Sequence, residues 1–436
     1  MKFDRSNVLR ARSHAVIPGG AHTYAKGDDQ YPELAPGFIA RGKGCRVWDV
    51  DGNEFIEYGS GLRAVTLGHA HPAVFEAARR ELERGCNFVR PSPLEMDLAE
   101  QVLAVIEGGE MVKFGKHGSD ATSAAVKLSR AYTGRDVVAI CGDHPFFSVD
   151  DWFIGTTPMP GGIPQAVRDL TVKFAYNDLA SLEALFAKHP KRIACVILEV
   201  EKDVAPAPGF LEGVKALAHR HGAVLVFDEM ITGFRWHVGG AQRIYGVKPD
   251  LTTLGKGIAN AFSVSALVGK REIMKAGGIK DHDGERVFLL STTHGGETHA
   301  LAAAIATIDV YRKEDVCGRM HAAGERLRAG VERAARQAGV AEHFTVSGRA
   351  CNLVYGTKDA EGKPSQWMRA LYMQESIKRG VLGPSFVVNY AHADADIDAT
   401  VERVGEALGV YRKALEEGVE KYLVGGPTKV VFRGRC

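Results

Sequence analysis

The chain has 436 residues, enough for a large core and two domains, with 45% hydrophobic and 25% charged side chains, an ordinary balance for a soluble globular protein. Its 55 basic and 53 acidic residues leave a formal net charge of +2, which gives no electrostatic case for nucleic acid or for an anionic membrane. Seven cysteines, an odd number with no CxxC pair, argue against a disulfide framework or a zinc site and for a reducing cytoplasm.

The chain opens on Met1-Lys2-Phe3-Asp4-Arg5, which has no apolar h-region, so no signal peptide is expected. No run approaches ~18 apolar residues, so no membrane span is expected either. A short helix-like start gives way to a polar, glycine-rich stretch over 18–36. Two strand-like runs, 45–50 and 54–58, flank Asp51-Gly52-Asn53, and an Asp-Gly turn in that place predicts a hairpin. From about 71 to 313, helical periodicity at 73–84, 94–107, 120–133, 179–189 and 211–221 alternates with short apolar runs at 137–141, 193–198, 223–227 and 264–268. Such alternation predicts an α/β layer with a mostly parallel sheet. Past about 314 come a long amphipathic helix over 319–337, strand-like 344–346 and 353–355, a helix near 366–379 and a last helix over 396–422. These predict a smaller α+β unit. The expected division is an N-terminal segment, 1–70, contributing to the small domain, a large domain over 71–313, and the rest of the small domain over 314–436.

Lys256 lies between two glycines at the end of a short apolar run, Leu251-Thr252-Thr253-Leu254-Gly255-Lys256-Gly257. Flanking glycines let a backbone approach a ligand closely, and a lysine there suits a Schiff base. A lone Gly-Lys-Gly is more often a surface turn, so its companions decide. Asp228 ends the apolar run Val224-Leu225-Val226-Phe227, and open α/β sheets bind ligands beyond the carboxyl ends of their strands. A carboxylate there can keep a pyridinium nitrogen protonated; a helix-capping acid is the plainer reading. The block Asp228-Glu229-x-x-x-Gly233-Phe234-Arg235 is longer than chance allows. Gly118-Ser119-Asp120, between strand-like 112–115 and a helix start, forms an anion cradle or an ordinary N-cap. Phe146, in Pro145-Phe146-Phe147-Ser148, offers a ring to stack on a cofactor, although core packing is the commoner use of such aromatics. Thr292-Thr293-His294-Gly295-Gly296-Glu297-Thr298-His299 precedes an alanine-rich run and suggests a second helix start near an anion. Its histidines do not form HExxH, so no metal is expected.

Together these blocks resemble the class III pyridoxal-phosphate (PLP)-dependent aminotransferases of fold type I, in the branch of glutamate-1-semialdehyde 2,1-aminomutase. The likeness runs over nearly the whole chain, through Val47-Trp48-Asp49-Val50-Asp51-Gly52-Asn53, Leu67-Gly68-His69-Ala70-His71-Pro72 and the signature from Phe227 to Lys256, with a spacing of 28 between Asp228 and Lys256. The resemblance implies a large domain with a mostly parallel central sheet, plus a smaller α+β domain. It implies that Lys256 is the Schiff-base lysine and proton shuttle, and that Asp228 pairs with the pyridine nitrogen. Gly118, Ser119 and Asp120 would form the phosphate turn. Glu199 would stand near the cofactor, with Val200 where relatives carry proline. Thr293 would reach the phosphate of a neighbouring subunit, which implies a homodimer with shared active sites.

Relatives carry a Tyr-His-Gly triplet at the cofactor ring. Counting back from Asp151-Trp152-Phe153 puts Phe146 at the tyrosine, whereas counting forward from Cys141-Gly142 favours Asp143-His144; Phe146 is preferred here. Lys26 stands at the offset of a substrate-binding arginine, and Gly61-Leu62-Arg63 replaces a Ser-Trp-Gly stretch. The loop 384–392 around Asn389 is shorter than in the aminomutase. Lys26, Arg63 and Asn389 are the candidates for substrate contact. These departures argue for an aminotransferase that moves an amino group between a small amine donor and a polar carbonyl acceptor, sugar-related or carboxylated. The first alternative is a true aminomutase. A second, of another class, is a non-catalytic PLP-fold regulator, which would need neither Lys256 nor Asp228. A nicotinamide oxidoreductase lacks its strand–GxGxxG–helix unit.

Overall fold

The computed structural model describes residues 1–434 except Pro145 and Asp281; Pro145, at the head of the aromatic segment, and Cys436 fall outside the described residues. The chain divides into two compact units, Met1–His71 with Gly318–Cys436, and Pro72–Cys317.

In the first unit, β1 (Ile39–Lys43), β2 (Arg46–Asp49) and β3 (Glu54–Glu57) run antiparallel in turn. The β2–β3 hairpin is the one that Asp51-Gly52 predicts. Asp49 closes it by accepting the N–H groups of Asp51 at 3.0 Å and Asn53 at 2.7 Å, and Gly52 takes φ +88°.

The second unit is built on seven strands: β4 (Met111–Gly115), β5 (Val137–Cys141), β6 (Thr171–Phe174), β7 (Ile193–Glu199), β8 (Val224–Asp228), β9 (Leu251–Leu254) and β10 (Ser265–Gly269). Their order is β4-β10-β9-β8-β7-β5-β6. Only β10 runs against its neighbours; the other pairs are parallel. Every residue of β5, β7, β8, β9 and β10 is buried, as strands covered on both faces require. The edge strand β6 has no uniform apolar run and is only partly buried, and periodicity alone does not find it. The helix Pro93–Val105 starts on a Ser92–Glu95 capping box, and Gly118–Thr133 ends on Gly134 at φ +65°. Leu98, Val102, Leu254, Ile258, Ala300 and Ile308 share one core cluster, which packs that first helix and Thr298–Lys313 around the end of β9.

In the first unit, β11 (Phe344–Ser347) and β12 (Val354–Thr357) also pair antiparallel, and β13 (Val381–Leu382) adds to β3 in parallel. The helices Gln366–Lys378 and Asp394–Glu417 complete the α+β unit. Within the helix Val316–Gln337, a Cβ on Gly324 would lie 1.9 Å from the Ala350 carbonyl oxygen. Glycine to alanine inside a helix ordinarily gains up to about 1 kcal/mol. Here Gly324→Ala is expected to destabilise by roughly 1–3 kcal/mol through overpacking against backbone, read by denaturant unfolding.

Candidate active site

Register puts the chemistry at the carboxyl edge of the large sheet. Glu199 on β7 is paired with Asp228 on β8, and Asp228 with Thr253 on β9. Paired positions on parallel strands send their side chains to the same face. Three residues past Thr253 the chain reaches Lys256, and three past the end of β5 it reaches His144. Four adjacent strands thus end in His144, Glu199, Asp228 and Lys256, in that order across the sheet.

Asp228 is 2% exposed, and its Oδ1 accepts the Met230 N–H at 2.9 Å. Burial pushes its carboxyl up to about 6, against the pull of the Lys256 ammonium. Lys256 holds φ +44°, a left-handed conformation that costs a non-glycine residue of order 1–3 kcal/mol and tends to persist at functional sites. Gly255 before it cannot carry a side chain without moving Met230, whose sulfur would stand 2.6 Å from the added Cβ. The same sulfur would stand 3.0 Å from a Cβ on Gly118. Met230 therefore packs between the lysine loop and the Gly118 helix start.

At that start, Ser119 Oγ accepts the Val149 N–H at 3.0 Å, so its own proton is available to donate. Thr122 Oγ1 donates to the Phe147 carbonyl at 2.8 Å. These bonds tie the aromatic segment to the turn. Asp120 is used differently from the sequence expectation: its Oδ2 accepts the N–H groups of Lys116 at 2.7 Å and His117 at 3.1 Å. A carboxylate so engaged shapes the turn and would repel a phosphate rather than bind it.

Phe146 is 42% exposed and meets Phe153 edge-on at 5.8 Å, whereas Phe147 is core. Thr293 is exposed, with its carbonyl accepting from Asn87 at 3.3 Å. Lys116 pairs with Glu297 at 2.6 Å, and Glu297 also meets His294 at 2.9 Å, which sets the Thr293 loop beside the Gly118 turn. The sequence reading gave Glu229 no role. It is fully buried and pushed up to about 7 by that burial, and it clamps the following loop by accepting from Thr232, Ala241 and Gln242. Its position next to Asp228 at a strand end was the available signal.

The three substrate candidates belong to the other unit. Arg63 and Asn389 come together there around a left-handed turn, in which residues 60–63 take φ of 45°, 56°, 59° and 73°. Arg63 Nε donates to Asn352 at 2.7 Å, and Ser60 Oγ donates to the Val387 carbonyl at 3.2 Å. Asn389 is buried, and its Oδ1 accepts the Ala391 N–H at 3.1 Å. An amide committed to its own turn is a poor substrate ligand, so Asn389 acts as turn-former instead. Lys26 is exposed on the turn Tyr24–Lys26.

A doubly flanked, mostly parallel sheet with a lysine and a buried carboxylate at its carboxyl edge is the frame of a fold-type I PLP transferase. The comparisons agree. The chain matches the class-III aminotransferase family over residues 26–142 and 148–404. It is 34% identical over 432 residues to a glutamate-1-semialdehyde 2,1-aminomutase of Syntrophobacter fumaroxidans, covering 94% of this chain and 98% of that one. It is 36% identical to the protein of the same name from Pelotomaculum thermopropionicum, covering 95% and 99%. Among solved structures, the PLP-bound FumI protein of Sphingopyxis sp. MTA144 superposes with a TM-score of 0.87 at 26% identity, covering 95% of this chain and 98% of that one. The chain belongs to the class-III aminotransferase family, and its cofactor is pyridoxal phosphate.

The chain's own groups fit that cofactor. A lysine lies at the same strand edge as a buried carboxyl whose pKa it lowers, and at a helix start with a hydroxyl donor a Cβ on Gly118 would come within 3.0 Å of the Met230 sulfur. No helix among the described residues is long and apolar enough to cross a membrane.

Proposed function

We propose that Lys256 carries the cofactor and then moves the substrate proton, while Asp228 keeps the pyridine nitrogen protonated. The observation that carries this reading is the Asp228 carboxylate, 2% exposed and electrostatically coupled to Lys256. Bound PLP supplies an electron sink for charge that develops at the substrate carbon. The residues do the rest. Gly118 and Ser119 take the phosphate through backbone N–H groups and the Ser119 hydroxyl. Asp120 holds their turn. Phe146 covers the ring, and Glu199 flanks Asp228. Lys256, released by an incoming amine, serves as general base. The large domain, 71–313, carries the cofactor, and the segments 1–70 and 314–436 make the small domain.

The protein acts as a homodimer in which Thr293 serves the partner's phosphate. The support is the set of exposed apolar side chains Phe88, Val89, Met96 and Phe288. Asn87, next to Phe88, donates to the Thr293 carbonyl at 3.3 Å, which ties the Phe88 segment to the Thr293 loop. The compartment is the cytoplasm.

The substrate is a small polar amine or carbonyl compound, sugar-related or carboxylated, met by Lys26 and Arg63. Identities of 34% and 36% to proteins named glutamate-1-semialdehyde aminomutase support a second reading, amino transfer within one substrate. One experiment separates them. The PLP-loaded protein is given candidate amines alone, and conversion to the pyridoxamine form is followed by absorbance. Conversion by an external amine, with no turnover of glutamate-1-semialdehyde, supports the transaminase. Turnover of glutamate-1-semialdehyde without an amino donor supports the mutase.

A further inference from the structure

His144 is the one of the four strand-end groups that the proposed chemistry leaves unused. It is 4% exposed, and its Nδ1 accepts the Glu199 N–H at 3.0 Å. A ring nitrogen that accepts an N–H carries no proton, so the neutral imidazole must hold its proton on Nε2. Burial pushes His144 down to about 4, which keeps the ring neutral at physiological pH. Tyr176 packs on the ring at 5.0 Å between centroids and Phe147 at 6.1 Å, so the orientation is locked. Nε2 is buried, with no hydrogen-bond partner among the described residues. A buried N–H without an acceptor is costly enough to be rare, and it calls for an acceptor the chain does not itself supply.

We propose that the His144 Nε2–H is a fixed hydrogen-bond donor to an acceptor atom of the bound cofactor, oriented by the Glu199 backbone. The inference rests on the function reading above. Three facts support it together: the position at the carboxyl edge, the tautomer imposed from behind, and the donor with no partner. The sequence alternative that counted forward from Cys141 therefore has a use of its own. His144 supplies a directed proton, while Phe146 supplies a ring face. The rival occupant of the donor is a buried water, which would make His144 purely structural.

Two substitutions separate these cases. In His144→Asn the amide oxygen replaces Nδ1 and keeps the Glu199 N–H paired, but the Nε2 donor is gone. In His144→Gln the amide nitrogen replaces Nε2 and keeps the donor, but the Glu199 N–H loses its partner. Titration of each apo-protein with PLP, followed by absorbance, and thermal unfolding of the apo-proteins are the readouts. His144→Asn is expected to bind PLP about tenfold more weakly, with a displaced absorption band, while its apo-protein melts no lower than that of His144→Gln. His144→Gln is expected to keep the wild-type band and to melt lower as apo-protein. Wild-type affinity and band in His144→Asn would overturn the proposal in favour of a water-satisfied histidine. Failure of the wild-type protein to bind PLP would instead overturn the function reading, so the two failures are distinct.

Discussion

Lys256→Ala is expected to lower turnover by roughly 10²–10⁴-fold or more, because the variant loses both the covalent tether of the cofactor and the general base. Alanine is well tolerated sterically at this position, since the lysine already sits between two glycines and its side chain is partly exposed. The left-handed φ of +44° remains strained for alanine, so folding is checked separately by circular dichroism. The decisive readout is attachment. After borohydride treatment the wild-type protein should carry the mass of the cofactor on the peptide containing Lys256, and the variant should release PLP on dialysis. A variant that is active, coloured and still fixable by borohydride would remove Lys256 from the mechanism.

Asp228→Asn is the second large effect. The asparagine keeps the shape at the end of β8 but cannot carry the negative charge that holds a pyridinium proton. Loss of one partner from a buried charged pair costs about 3–5 kcal/mol, or on the order of 10²–10⁴ in rate. The same substitution has a signature that needs no cofactor. The folded-state pKa of Asp228 is raised from 3.8 to about 6. A raised carboxyl contributes stability that is full below about pH 4 and lost as pH climbs through about 6, where the folded protein must give up a proton it prefers to keep. Asparagine has no such term. The unfolding free energy of apo Asp228→Asn minus that of the wild type should therefore rise between about pH 4 and 6 and level off above. Glu229 is raised chiefly by its own burial, so most of its contribution is common to both proteins and cancels; the smaller share owed to the Asp228 charge is lost in the variant and adds to the rise in the same direction, toward about pH 7. A flat difference across that range would show that Asp228 is ionised in the folded chain as readily as in the unfolded one.

Much of the fold was legible because its signals are local. The runs at 137–141, 193–198, 223–227 and 264–268 are continuous apolar stretches, and β5, β7, β8 and β10 form on them, buried throughout. The edge strand β6 stayed hidden because only Phe174 in it is fully buried and no apolar run marks it. The same contrast holds at the site. Asp228 and Lys256 were readable from strand-end position and flanking glycines, which are properties of a few neighbouring residues.

The reaction class is written in the block from Phe227 to Lys256 and in the parallel layer that carries it. Which side chains were already committed emerged from the packing of distant segments. Asp120 is spent on its own turn, and Asn389 on the Ala391 N–H of its own loop and on Ser60. Arg63 stands in a left-handed turn braced by Asn352, a residue 289 positions away. His144 acquires its tautomer from the backbone of Glu199, 55 positions away. Contacts of that separation are set by how strands and loops are brought side by side, and no local pattern of residue types encodes them.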